Sequence, residues 1–175
     1  LATSAVLAIV GLYLLSSASG LAMIFVFATL YGFGKTFFWP TTLGVVSEQC
    51  PKGGALTLNA IAGIGMLAVG ILGGPVIGKM TEDSIKASVE EATSADTYQK
   101  ISNDSTYFLG DYTAVDASKI GDLPEEEQTK VQASMQTGKQ GSLASVAIFP
   151  VFMLACYLAL IFYFKGRGGY KPVEI

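Results

Sequence analysis

The stretch from Leu21 to Val46, LAMIFVFATLYGFGKTFFWPTTLGVV, is apolar throughout and carries a single charge, Lys35. Its 26 residues make about 39 Å of helix, enough to cross a hydrocarbon core of about 30 Å. Lys35 then falls near the bilayer midplane. Insertion scales put a lysine there at about 2.5–3.5 kcal/mol of cost, so it is expected to face a partner, a bundle interior or a water-filled cavity instead of lipid.

Working outward, three further stretches read as membrane spans, at 1–15, 55–77 and 144–164. The first, at about 22 Å of helix, is short of the core thickness. The chain starts at Leu1 without a methionine, a basic leader region or a small-residue cleavage site, and is expected to be the C-terminal fragment of a longer protein. The expected architecture is an all-α membrane protein with three spans in 1–80 (1–15, 21–46 and 55–77), a loop over 81–143, a last span at 144–164 and a tail at 165–175.

Hydrophobic residues make up 51% of the chain and the mean hydropathy is +0.49. The polar residues are segregated. The loop 81–143 holds twelve acidic and five basic residues, net −7, while the remainder sums to +4. The overall −3 averages these two parts and argues for no charged macromolecular partner; nucleic acid is not expected. In the loop, Leu123-Pro124 followed by Glu125, Glu126 and Glu127 predicts a helix from Pro124 to about Gly138, because proline suits the first turn and the acids face the positive end of the dipole. Ile85 with Val89, and Val131 with Met135, form thin apolar stripes that predict elements lying on a neighbour, not an independent core. The loop is expected to be part helical, part irregular and solvated, with a capturing or partner-binding role as the other reading.

Orientation follows from the short connections. Lys52 lies in the link 47–54, and Lys165, Arg167 and Lys171 lie in the tail, which predicts a cytoplasmic C-terminus and an extracytoplasmic acidic loop. Tyr157, Phe162, Tyr163 and Phe164 beside Lys165 predict an interfacial anchor.

Within the membrane, 1–15 and 144–164 hold few polar side chains and are expected to be peripheral. Span 21–46 instead carries Tyr31, Lys35, Phe38, Trp39 and Thr42 at spacings of three, four and seven, one stripe suited to a binding wall. Pro40 is expected to bend this helix, and Gly32 and Gly34 to loosen the turns before Lys35. The alternative is that Lys35 neutralises a carboxylate elsewhere in the protein and Pro40 only shapes packing. In span 55–77, Asn59 could line a cavity or bridge helices, while Gly70, Gly74 and Gly78 make a small-residue ridge, with Pro75 as a point of flexure. An enzyme is not expected: the chain has no histidine, no span contains an acid, and Cys50 and Cys156 fall in different layers, which leaves no catalytic residues, metal ligands or cofactor site.

Taken together these residues resemble the major facilitator superfamily of secondary transporters, at its helices nine to twelve. The link Ser47-Glu48-Gln49-Cys50-Pro51-Lys52-Gly53-Gly54 is similar to the acidic, proline, basic, glycine pattern that closes that family's fourth and tenth helices. The sequence Gly70-xxx-Gly74-Pro75-xx-Gly78 resembles its glycine-proline motif, here at the repeat-related position, with Lys79 in place of a small residue. The resemblance covers nearly the whole chain, with the acidic loop a long insertion between helices eleven and twelve. It implies the last part of a 12-helix bundle, alternating access around a midplane site, a small-molecule substrate, H+ or Na+ as a possible coupling ion, and an N-terminal set of helices as structural partner. It also implies a multi-pass protein of a bacterial inner membrane. Glu48, Pro40, Gly70, Gly74, Pro75 and Gly78 become gating or packing residues. The competing class is a four-helix accessory or scaffold protein with an external acidic loop.

Overall fold

The computed structural model describes residues 1–107 and 110–173, so the last two positions of the expected tail lie outside the described residues. The helices are α1 (Ala2–Ser16), α2 (Leu21–Thr36), α3 (Phe38–Gln49), α4 (Gly54–Ala68), α5 (Gly74–Ala92), α6 (Ala95–Ile101), α7 (Ala117–Ile120), α8 (Glu125–Val146) and α9 (Ile148–Gly166), with strands β1 (Ser102–Tyr107) and β2 (Gly110–Val115) between α6 and α7. Three helical stretches, Leu21–Gln49, Pro51–Ala92 and Glu125–Gly166, are long and apolar enough to cross a membrane, whereas Ala2–Ser16 is apolar but shorter. The protein is thus mainly helical with membrane-spanning potential. It is not purely α.

Each long stretch contains one interior proline, and each proline coincides with an interruption. Proline has no N–H to donate four residues back, and its ring crowds that carbonyl. For Pro40 the abandoned carbonyl belongs to Thr36, the last residue of α2; for Pro150 it belongs to Val146, the last residue of α8. For Pro75 it belongs to Ile71, inside a π-helical turn at Val69–Gly73. The bend expected at Pro40 is therefore a break at Phe37, and the flexure expected at Pro75 is a wider turn just before it.

The chain divides into two compact units, Leu1–Val69 with Ala147–Ile175, and Gly70–Val146. In the first unit, α1 and α2 form an antiparallel hairpin turned at Gly20, whose φ of 86° favours glycine. Small residues let the backbones meet: a Cβ at Gly34 would lie 2.6 Å from the Ala8 nitrogen, and one at Gly11 2.8 Å from the Tyr31 Cα. Dispersion between tightly apposed backbones drives such pairing in lipid, where no hydrophobic effect operates between helices.

The second unit corrects the expectation for the acidic loop. Ile85 and Val89 of α5, Tyr98 and Ile101 of α6, Ile120 of α7 and Val131 of α8 are buried together, with Val115, Leu123 and Met135 packed around them. The thin stripes on α5 and α8 face each other and are completed from the segment between, so this part has a core of its own. A buried aliphatic or aromatic side chain contributes roughly 1.5–3 kcal/mol of transfer free energy, enough here to order a small unit. In place of irregular chain there is an antiparallel hairpin pairing Ser102 with Val115 and Tyr107 with Gly110. Ser94 caps α6 by accepting from the Thr97 amide at 3.1 Å, and Asp116 caps α7 by accepting from the Ser118 amide at 3.0 Å. The second carboxylate oxygen of Asp116 accepts from Asn103 Nδ2 at 2.8 Å, tying α7 to β1. Helix α8 also continues eight residues beyond Gly138. The expected stop is a contact point, where the missing side chain lets α8 rest on the backbone of α5.

Candidate functional site

The candidate wall of the first unit is built around the break at Phe37. Lys35 lies in the last turn of α2 and is exposed, and its ammonium has no hydrogen bond or ion pair among the described residues. Its backbone carbonyl accepts from the amide of Phe37, which closes the helix end. The remaining stripe residues point to different neighbours. Tyr31 lies under Gly11 of α1. Phe38 packs on Tyr157 of α9, ring centroids 6.2 Å apart, while Trp39 reaches α4, where a Cβ at Gly65 would stand 3.3 Å from its ring.

The hydroxyls near this break are satisfied locally. Thr36 donates to the Gly32 carbonyl at 2.8 Å and Thr42 to the Phe38 carbonyl at 2.7 Å, the usual way for a threonine to sit in an apolar helix. Asn59 is exposed on α4 and has no partner among the described residues. Lys35, Trp39 and Asn59 are thus all exposed on the first unit. Phe38 and Thr42 belong to the α3–α9 contact.

At the other end of α3, Glu48 has a role that spacing alone did not suggest. Its Oε2 accepts from the Tyr170 phenol at 2.5 Å, its carbonyl accepts from the Val173 amide at 2.9 Å, and the neighbouring Gln49 side chain donates to the Lys171 carbonyl at 2.9 Å. The tail thus folds back onto α3. The reversal uses Gly168 and Gly169, both at positive φ (88° and 100°), and the Phe164 and Tyr170 rings meet edge to face at 5.1 Å. Donation to the Glu48 carboxylate holds the Tyr170 phenol above its ordinary pKa. The paired glycines between Phe164 and Tyr170 were the signal for this turn.

In the second unit, Gly70, Gly74 and Gly78 are exposed, and a Cβ at any of them would meet nothing within 4 Å. Gly74 and Gly78 instead floor a cleft of about 300 Å³, walled by Pro75, Lys79, Glu82 and Tyr112. Lys79 donates to the Asp111 carbonyl at 3.4 Å and Glu82 accepts from the Val115 amide at 3.3 Å, so both charged groups brace β2. Among the described residues, the glycines that bring one helix backbone against another are Gly11, Gly34 and Gly138. The spacing of Ser4, Ala8 and Gly11 opposite Gly34 was the legible sign of the first two.

No cluster of three metal-ligating side chains occurs among the described residues. Comparison with protein-family models, with curated proteins and with solved structures finds no match for this chain.

Proposed function

We propose that the chain is part of a secondary active transporter of the major facilitator type, which moves a small solute across a bacterial inner membrane by alternating access. The observation that supports this most is the break at Phe37, with Lys35 exposed and unpaired in the turn before it. Interrupted helices at membrane depth are how such transporters present polar groups to a substrate, and an intramembrane cation without a structural partner is a functional candidate. In this reading Lys35 meets an anionic group of the solute or of a coupling site, and Trp39 and Asn59, exposed on the same unit, are further candidate contacts. The rest of the wall, any coupling carboxylate for H+ or Na+, and the opposing bundle come from other parts of the protein. The C-terminus is cytoplasmic in this proposal, and the acidic region 81–143 is extracytoplasmic.

The test is Lys35→Ala in the full-length protein. Uptake should be lost while expression, insertion and melting temperature hold, since removing a midplane cation relieves an insertion cost. A lowered melting temperature with an intact ligand-induced stabilisation would instead mean that Lys35 neutralises a structural carboxylate. The independent core of the second unit favours one other reading, an accessory protein that presents an external acidic domain. That reading expects no uptake phenotype at Lys35 and loss of function on removing 81–143.

A further inference from the structure

We propose that the groove between α3 and α9 in the first unit is a binding site for an anionic phospholipid. The groove has a volume of about 650 Å³ and is lined by Thr41, Gly44, Val45, Tyr157, Leu160 and Phe164. Such a lining suits acyl chain and offers little to a polar solute. It ends at Lys165 and at the returning tail, where Tyr170 forms part of the rim.

The charge at that end fits a phosphodiester. Lys165 is exposed and makes no ion pair among the described residues, and the Arg167 guanidinium lies over the exposed Tyr163 ring at 4.8 Å. Glu48, the one described acid of the first unit, also lines the groove and keeps its charge while accepting from the Tyr170 phenol, but Lys165, Arg167 and Lys171 outnumber it at that end. An apolar slot in a spanning bundle that opens at a basic and aromatic rim has the order of a phospholipid: tails, then interface, then headgroup. A zwitterionic headgroup would gain less, because its own cation would sit among lysine and arginine. Only the membrane-spanning reading is needed here; the transport reading is not.

The experiment uses the full-length protein in phosphatidylcholine nanodiscs, with and without a minor fraction of phosphatidylglycerol, and reads the melting temperature. Phosphatidylglycerol should raise it in the unmodified protein. Gly44→Leu fills the slot without a clash, since a Cβ there meets nothing within 4 Å, and should remove more than half of that rise. Lys165→Gln should do the same, whereas Gly63→Leu, equally open but on α4, should leave the rise intact. An equal rise when zwitterionic phosphatidylethanolamine replaces phosphatidylglycerol, a full rise in Gly44→Leu and Lys165→Gln, or no rise in the unmodified protein because another helix fills the groove, would each overturn the proposal. Lost uptake at Lys35 with an unaltered lipid response would separate failure of one reading from failure of the other.

Discussion

Gly138 of α8 rests against Ile85 of α5 so closely that a Cβ on the glycine would lie 2.6 Å from the Ile85 Cα and 2.9 Å from the Ser84 carbonyl oxygen. Both neighbours are backbone, so nothing flexible can yield. Gly138→Ala should therefore push α8 off α5 and cost about 1–3 kcal/mol, as overpacking does. Gly141, one turn on, has open space at its Cβ. Gly141→Ala should stabilise by up to about 1 kcal/mol through helix propensity. Opposite signs in thermal melts check the pair; equal signs would refute the packing.

Tyr98 gives the second unit an alkaline limit. Burial raises its phenol above the usual 10.0, and its hydroxyl donates to Thr113 at 3.3 Å. As pH rises past 10.0 the unfolded chain ionises first, so the contribution of Tyr98 is complete below that value and is lost as pH climbs through the folded pKa. Tyr98→Phe should flatten the fall in melting temperature between neutral pH and about pH 11, while lowering neutral stability by about 0.5–1.5 kcal/mol for the lost hydrogen bond.

Pro40→Ala restores an amide that can donate to the Thr36 carbonyl. Helix should then run unbroken from Leu21 to Gln49, relieving a local cost of about 3 kcal/mol. Trp39 is the chain's one tryptophan and adjoins the changed residue, so its emission should shift. If the break serves transport, uptake falls although stability rises; unchanged emission and uptake together would count against any role for the break.

Topology can be read with thiols. Cys50 is free and exposed at the end of α3. In intact cells an impermeant maleimide should spare Cys50 and modify Ser118→Cys on α7, with Cys50 reacting once the membrane is opened. The reverse pattern would invert the proposed orientation.

The interruptions at Pro40 and Pro75 were legible, because proline acts on a carbonyl four residues away and needs no tertiary context; the one at Pro150 was not read, and α5 and α8 run past the limits expected at 77 and 138. The core of the acidic region was not legible, since α5 and α8 each bring only two apolar side chains to it, and Tyr98, Ile101 and Ile120, which complete it, come from segments with no clear periodicity. Gly138 misled for a related reason: a glycine that ends a helix and one that admits a neighbour look alike until the neighbour is known. Lys35 was found by depth alone. The partition of Tyr31, Phe38 and Trp39 among three different helices depends on packing that no single-helix stripe encodes.

Thr81 Oγ1 and Ser142 Oγ stand 3.4 Å apart across the paired helices α5 and α8, so the chain leaves for the acidic core and comes back at almost the same point. A module entered and left through adjacent doorways can be lost or gained in one genetic event without moving what it is grafted on. Joining α5 to α8 by a short turn just beyond this pair should yield a shorter protein whose spans are intact, which makes the acidic core a separable appendage in the evolutionary sense.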